Sequence, residues 1–280
     1  MRLKFKKTVI VGPGLIGGSI GIFLRESKIT SSVVGVTRHK DTLSKAVKKG
    51  AIDKAEIDLK KAVIDADLVL IATPVEALKK IIREIKNSLK PGCIVFDVGS
   101  TKREIVLHAE KMLPGGVYFV GSHPMAGSEK TGVEFARADL FNGSICFITK
   151  TKTTNKTAIL MINELWKRLG AKCVEIDPCA HDDIVASVSH LPHLISAALV
   201  NSVPAEYLKF AGAGFKDSTR IAAASAEIWH DITLSNRKAI LKQIKRFESV
   251  LKKLKKSITL KQGEQLIRQL DQAKKKRQSI

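Results

Sequence analysis

A doubly wound α/β fold on a mostly parallel sheet, followed by an all-helical domain, is predicted by three features of the 280-residue chain. Short β-branched runs alternate with segments of 3.6-residue periodicity through the first 177 residues. A glycine-rich turn joins the first such run to the first helical one. From Pro178 onward strand-like runs vanish and long helical patterns take over. Strands alternating with helices argue for βαβ units and a parallel sheet. Two domains follow, 1–177 and 178–280.

In chain order the expected strands are Thr8–Val11, Val33–Thr37, Leu68–Ala72, Ile94–Asp97, Tyr118–Gly121, Cys146–Thr149 and Lys172–Ile176. Each is short, apolar and bounded by turn residues, as a strand buried on both faces must be. Between them, Val75–Leu89 and Ala158–Leu169 carry one apolar face at helical spacing. The second half reads as helices over Asp182–Asn201, Ala226–Lys255 and Thr259–Lys276. Pro192 lies inside the first of these and should disturb the backbone at the Val188 carbonyl. The helical half has few residues with which to enclose a core, so its apolar faces are expected to meet a partner subunit.

Composition excludes little. Lys and Arg number 48 against 27 Asp and Glu, a formal charge of +21. That excess suits nucleic acid, an anionic membrane or an anionic small substrate. The basic residues are spread along the chain, dense only at 252–256 and 274–277, with no zinc-finger spacing, aromatic-rich RNA-binding strand or heptad zipper beside them. No nucleic-acid partner is therefore expected. Cys93, Cys146, Cys173 and Cys179 show no metal-binding spacing and read as reduced core thiols. Residues 1–24 imitate a signal peptide, yet hold five glycines and a proline and form the strand–turn–helix start that the fold needs. No run of 18 apolar residues occurs, so no membrane span is expected. The default is a cytoplasmic enzyme.

The first strand runs into Gly12-Pro-Gly14-Leu15-Ile16-Gly17-Gly-Ser. A G-x-G-x-x-G between a strand and a helix is the dinucleotide-binding fingerprint. Gly12 permits the tight turn, Gly14 lets the backbone approach a pyrophosphate, and Gly17 lets the helix sit close to the sheet. The phosphates would meet unpaired N–H groups at the positive end of the helix dipole. After the second strand comes Thr37-Arg38-His39-Lys40, with no carboxylate before Asp41. Arg38 could pair with a 2′-phosphate and Thr37 could add a hydroxyl, so NADP is preferred, with NAD the alternative. Thr73 and Pro74 complete a cofactor-binding set of Gly12, Gly14, Leu15, Ile16, Gly17, Thr37, Arg38, Thr73 and Pro74.

Two further segments, Val98-Gly-Ser100-Thr-Lys102 and Ser122-His123-Pro-Met-Ala-Gly-Ser-Glu129, are expected just past the carboxyl ends of parallel strands, where open α/β sheets bind ligands. A histidine there is a candidate general base. The helical half adds Ser189-His190-Leu-Pro-His193 and Gly214-Phe-Lys216-Asp-Ser-Thr-Arg220. On a helix, His190 and His193 share a face at i,i+3, and Lys216 and Arg220 at i,i+4 would offer two positive charges to an anion. Singly, these residues read equally well as structural histidines and a solvated basic face.

In combination and in this order, the motifs resemble the prephenate/arogenate dehydrogenase family of tyrosine biosynthesis, over about residues 7–250. The resemblance implies a Rossmann-type domain, a helical domain that dimerises, and an active site in the cleft between them. It implies oxidative decarboxylation of prephenate to 4-hydroxyphenylpyruvate, with His123 taking the proton of the ring hydroxyl while the nicotinamide takes hydride from the same carbon. Ser100 would hydrogen-bond that hydroxyl and Arg220 would hold the ring carboxylate. His193 and Lys216 would seat the side-chain carboxylate, with Glu129 near the cleft entrance. Arogenate carries an ammonium where prephenate carries a keto group. The positive site favours prephenate, whereas Glu129 could accept the ammonium. Rival readings are another two-domain NADP-dependent reductase, or a dinucleotide sensor or nucleic-acid binder using the basic surface.

Overall fold

The computed structural model describes residues 3–126 and 130–279. Eight strands form one sheet: β1 Thr8–Val11, β2 Val33–Val36, β3 Lys54–Glu56, β4 Leu68–Ile71, β5 Ile94–Asp97, β6 Tyr118–Pro124, β7 Ile145–Thr149 and β8 Lys172–Ile176. Their spatial order is β3-β2-β1-β4-β5-β6-β7-β8, parallel except for the β6–β7 pair. The chain winds outward from β1 in one direction to β3 and then from β4 in the other, which opens a crevice at the carboxyl ends of β1 and β4.

Helices cover both faces. On one, Ile10, Leu68, Leu70 and Phe96 pack with α1 (Leu15–Glu26), α2 (Lys40–Lys48) and α6 (Lys156–Arg168), where Trp166 is fully buried. On the other, Val9, Val11, Val69, Ile71 and Val95 pack with α3 (Leu59–Val63), α4 (Val75–Ile85) and α5 (Arg103–Met112). Successive residues of β1 thus serve opposite cores, which is why it reads as a continuous apolar run.

Two features of the sheet were not expected. β3 is an exposed three-residue edge strand with no apolar signature. β6 runs three residues beyond Gly121, so His123 sits inside a strand rather than in a loop after one. β5 ends at Asp97 opposite Gly121, and the extension of β6 is held by β7 alone, with His123 opposite Phe147. His123 therefore lies beyond the end of its parallel neighbour but on rigid backbone.

After β8 the chain is helical: α7 Pro178–Val185, a π-helical turn at Ala186–His190, α8 Leu191–Asn201, α9 Ala213–Thr219, α10 Ala226–Ser235, α11 Arg237–Thr259 and α12 Gly263–Gln278. The wide π turn directly precedes Pro192, where the missing N–H and the bulky ring disrupt regular winding. The helix expected over Ala226–Lys255 is broken at Asn236 (φ −107°, ψ 22°), whose side-chain amide is engaged across the domain. The run Pro178–Asn201 meets the length and hydropathy required of a membrane span, with mean hydropathy 1.4. Its buried residues, however, include His181, Asp182, His190 and His193, and the first two hydrogen-bond to the sheet domain. Of the four cysteines, all free, Cys93 and Cys146 are buried core thiols, Cys173 is half-buried and Cys179 is exposed, contrary to the expectation for that residue.

Candidate active site

A cavity of about 780 Å³ opens at the carboxyl ends of β1, β2 and β4. Gly12, Gly14, Thr37, Arg38, Thr73 and Pro74 line it, six of the nine residues expected to hold a cofactor. The other three, Leu15, Ile16 and Gly17, form the first turn of α1 just behind it. Gly12 has φ +87°, and a Cβ there would lie 2.5 Å from the Ala72 carbonyl oxygen. A Cβ on Gly17 would lie 2.4 Å from the Gly12 oxygen, so Gly17 is needed for packing. Gly14 differs, because a Cβ there would meet nothing within 4 Å. Its bareness serves no neighbour in the protein and suits close approach by a ligand. The hydroxyl of Thr73, which lines the same cavity, is buried without a hydrogen-bond partner. These observations fit a dinucleotide whose pyrophosphate rests on the start of α1.

The Ser100 loop is pinned at both ends. Asp97 Oδ2 accepts from the Gly99 N–H at 2.9 Å and pairs with the Lys102 ammonium, both side chains being wholly buried. At the far end, the backbone N–H groups of Lys102 and Arg103 donate to the Asp182 carboxylate at 2.8 and 3.1 Å. Asp182, from the helical half, thus caps the amino end of α5, which has no cap of its own. The Ser235 hydroxyl donates to Thr101 Oγ1 at 3.1 Å, adding a tie from α10. Ser100 itself is half-buried on this braced loop.

His123 is 8% exposed, and its Nδ1 lies 2.9 Å from His181 Nε2. His181 Nδ1 lies 2.8 Å from Asp182 Oδ1. Burial, the neighbouring His181, the Lys102 ammonium and His190 together hold His123 well below the usual imidazole value, so the ring is uncharged at neutral pH. His181 is lowered too, chiefly by burial. Burial brings His190 down to about 4, and His190 Nδ1 faces the Asn236 amide at 3.2 Å. The same amide donates to the Asp182 carbonyl at 2.8 Å. His193 stacks on Trp229, with ring centroids 3.5 Å apart and planes 10° from parallel.

The structure therefore joins His123 to the His190 and Asn236 region through His181 and Asp182. α9 docks on α8 through the Ser196 hydroxyl, which donates to the Ser218 carbonyl at 3.1 Å; Ser196 lies one turn beyond His193. Lys216 and Arg220 sit at the end of α9 and in the following turn, exposed and with no ion-pair partner among the described residues. Neither makes a hydrogen bond to the histidines. Glu129 lies outside the described residues.

Sequence reasoning missed His181, Asp182, Trp229 and Asn236. One signal was available. Asp177-Pro178 is an N-cap followed by proline at N1, and Asp177 Oδ1 accepts from the Cys179 and Ala180 N–H groups. It starts the helix at Pro178 and sets His181 and Asp182 inside α7, facing the sheet domain.

Comparison with known proteins identifies the family of both halves of the chain. Residues 20–175 match the family model described as prephenate dehydrogenase, nucleotide-binding domain, and residues 177–272 match prephenate dehydrogenase, dimerization domain. A prephenate dehydrogenase of Bacillus subtilis is 34% identical over 99% of this chain and 77% of its own length. The structure of Aquifex aeolicus prephenate dehydrogenase in complex with hydroxyphenyl propionate and NAD+ superposes with a TM-score of 0.93 at 33% identity, covering 100% of this chain and 99% of that one. Synechocystis arogenate dehydrogenase superposes with a TM-score of 0.85 at 30% identity, covering 98% and 99%. With both halves matched in order across nearly the whole chain, this protein belongs to the prephenate dehydrogenase family.

Proposed function

We propose that the protein oxidises and decarboxylates prephenate to 4-hydroxyphenylpyruvate, in the cleft between a dinucleotide-binding domain ending at residue 177 and a helical domain beginning at 178. The observation that carries this is His123: a buried, neutral imidazole on a rigid strand, with Nδ1 engaged by His181 and Nε2 without a hydrogen-bond partner among the described residues. His123 takes the proton of the ring hydroxyl, and Ser100 hydrogen-bonds the same oxygen. The nicotinamide, when bound over Gly12–Gly17, supplies the two-electron acceptor. Arg220 holds the ring carboxylate with its planar fork. That carboxylate leaves as CO2, and the bonding pair enters the ring as it becomes aromatic. His193, backed by Trp229, and Lys216 seat the side-chain carboxylate, with Glu129 assigned to the entrance. The protein contributes orientation, one base and charge complementarity to a dianion. Arogenate is the second reading, supported by the likeness to an arogenate dehydrogenase; the cationic pair Lys216 and Arg220 favours the keto acid over its ammonium analogue.

NADP is the proposed cofactor. β2 ends in Thr37-Arg38 without a carboxylate, and Arg38 lines the cavity, exposed and with no ion-pair partner among the described residues. Asp58 and Glu84 also line it, and they would serve NAD instead. Asp58, however, already caps α3 through the Lys60 and Lys61 N–H groups. The assay is formation of reduced nicotinamide from prephenate and from arogenate, each with NADP and with NAD. Prephenate with NADP is expected to be the best pair, and silence in all four arms would sink the assignment. R38S is expected to raise the KM for NADP by roughly 10–100-fold, the worth of one charge-assisted contact, and to leave NAD little changed. Equal effects on both cofactors would remove Arg38 from phosphate recognition.

R220Q is expected to raise the KM for prephenate by a similar ~10–100-fold, with dinucleotide affinity unchanged. An unchanged KM would sink its carboxylate role. A cytoplasmic homodimer that binds neither nucleic acid nor membrane completes the proposal. α12 buries none of its residues, and Leu241, Leu251, Ile258 and Ile267 stand more than half exposed on α11 and α12, an apolar surface suited to a second copy.

A further inference from the structure

We propose that Asp182 and His181 are positioning residues which fix His123 as its Nδ1–H tautomer, so that Nε2 presents a lone pair to the substrate hydroxyl. The inference rests on reading His123 as the base, and it follows from hydrogen-bond directions once His181 is neutral, as its complete burial beside the Lys102 ammonium dictates. Asp182 Oδ1 accepts the Lys102 N–H and Oδ2 accepts the Arg103 N–H. Backbone N–H groups can only donate, so the carboxylate acts as an acceptor at both oxygens. Its third neighbour, His181 Nδ1 at 2.8 Å, must therefore carry a proton. A neutral His181 with its proton on Nδ1 has a bare Nε2. The contact from His123 Nδ1 to that Nε2, 2.9 Å long, is then a hydrogen bond only if His123 donates it. His123 is left with its proton on Nδ1 and its lone pair on Nε2, the nitrogen turned away from the network.

Among the described residues no further hydrogen-bond partner meets either ring, and His190, itself neutral, is a further titratable neighbour. His181 is fully buried, with the Phe147 ring set nearly perpendicular to it, centroids 5.3 Å apart, and the Lys102 ammonium near enough to favour neutral imidazoles. A histidine free in this pocket could hold its proton on either nitrogen, and with the proton on Nε2 it would be no base toward the substrate. Asp182 also caps the helix that follows Ser100. One carboxylate thus sets both the tautomer of His123 and the seat of Ser100, the two residues that meet the same hydroxyl. It belongs to the helical domain and both targets belong to the sheet domain, so docking of the two halves completes the base.

The test is nitrogen NMR of the full-length protein labelled with 15N-histidine at neutral pH, with His123 assigned by its absence from H123N. The expected spectrum shows His123 and His181 each protonated on Nδ1 and bare on Nε2. A His123 protonated on Nε2 overturns the proposal. No substrate is present, so absence of turnover would count against the assigned reaction and not against the tautomer. H181L removes the acceptor and is expected to move the His123 proton to Nε2 and to lower kcat on the order of 10²-fold, with KM within about twofold. H181Q, whose amide oxygen can accept from His123, is expected to restore the tautomer and most of the rate. A wild-type tautomer or an unchanged kcat in H181L also overturns the proposal. Where H181L fails to fold, the wild-type spectrum alone decides.

Discussion

H123N is expected to lower kcat by at least about 10³-fold while leaving dinucleotide affinity within about twofold. The magnitude is that of a lost general base. Asparagine keeps a donor that can reach His181 but has no lone pair of comparable basicity for the substrate. Cofactor affinity should survive because the cavity is built from β1, β2, β4 and the turns after them, whereas His123 is on β6 and is held by β7. The pH profile offers an independent check. A base must be unprotonated to act, and burial, His181, Lys102 and His190 all push the His123 value down. Lowering the value moves the acid limb of kcat/KM toward lower pH, so the wild-type profile should stay flat through 6.5 and fall only well below it. A limb at or above 6.5 would mean that another group controls the rate. Wild-type turnover in H123N would remove this residue from the chemistry.

How much of this was legible in the sequence depends on where the determining contacts lie. The strands β1, β2, β4 and β5 are buried on both faces, so local composition alone betrays them, and the Gly12–Gly17 turn announces its ligand through spacing. β3 was missed because its three residues, the exposed Lys54 and Ala55 and the half-buried Glu56, carry no apolar run and pair with β2 alone. The antiparallel setting of β7 leaves no local mark, yet it is what extends β6 and brings His123 into a strand. Asn236 and His181–Asp182 were illegible for a related reason. Their side chains satisfy groups tens of residues away, Asn236 at the Asp182 carbonyl and Asp182 at the amides of Lys102 and Arg103. A polar residue in a helix looks the same in sequence whether it meets water or a distant backbone. The motif around Ser100 and Lys102 was visible as a motif. The reason for its lysine was not.

That reason gives the second large effect. K102M is expected to destabilise the fold by about 3–5 kcal/mol, the cost of stranding one half of a buried ion pair. Against a total near 5–15 kcal/mol this is a severe loss. Lys102 and Asp97 are wholly inaccessible, and beside the Lys102 ammonium Asp97 is met only by neutral backbone N–H groups, of Gly99 and Ser122, among the described residues. Asp97 is already raised by burial even with Lys102 beside it, and removing the ammonium raises it further. An acid whose folded value lies above its unfolded value of ~3.9 favours the native state while protonated and loses that contribution as pH rises through the folded value. K102M should therefore fall further behind the wild type at pH 8 than at pH 5, as read from chemical denaturation midpoints. Replacing both partners, as D97L with K102M, leaves no buried charge and should recover most of the loss. A double variant no more stable than K102M, or a single variant whose deficit is the same at both pH values, would show that the pair acts through packing and not charge. If charge is what matters, the pair is an electrostatic clamp across the loop that carries Ser100. Its cation also helps keep His123 neutral, so residual K102M activity should show an acid limb displaced upward.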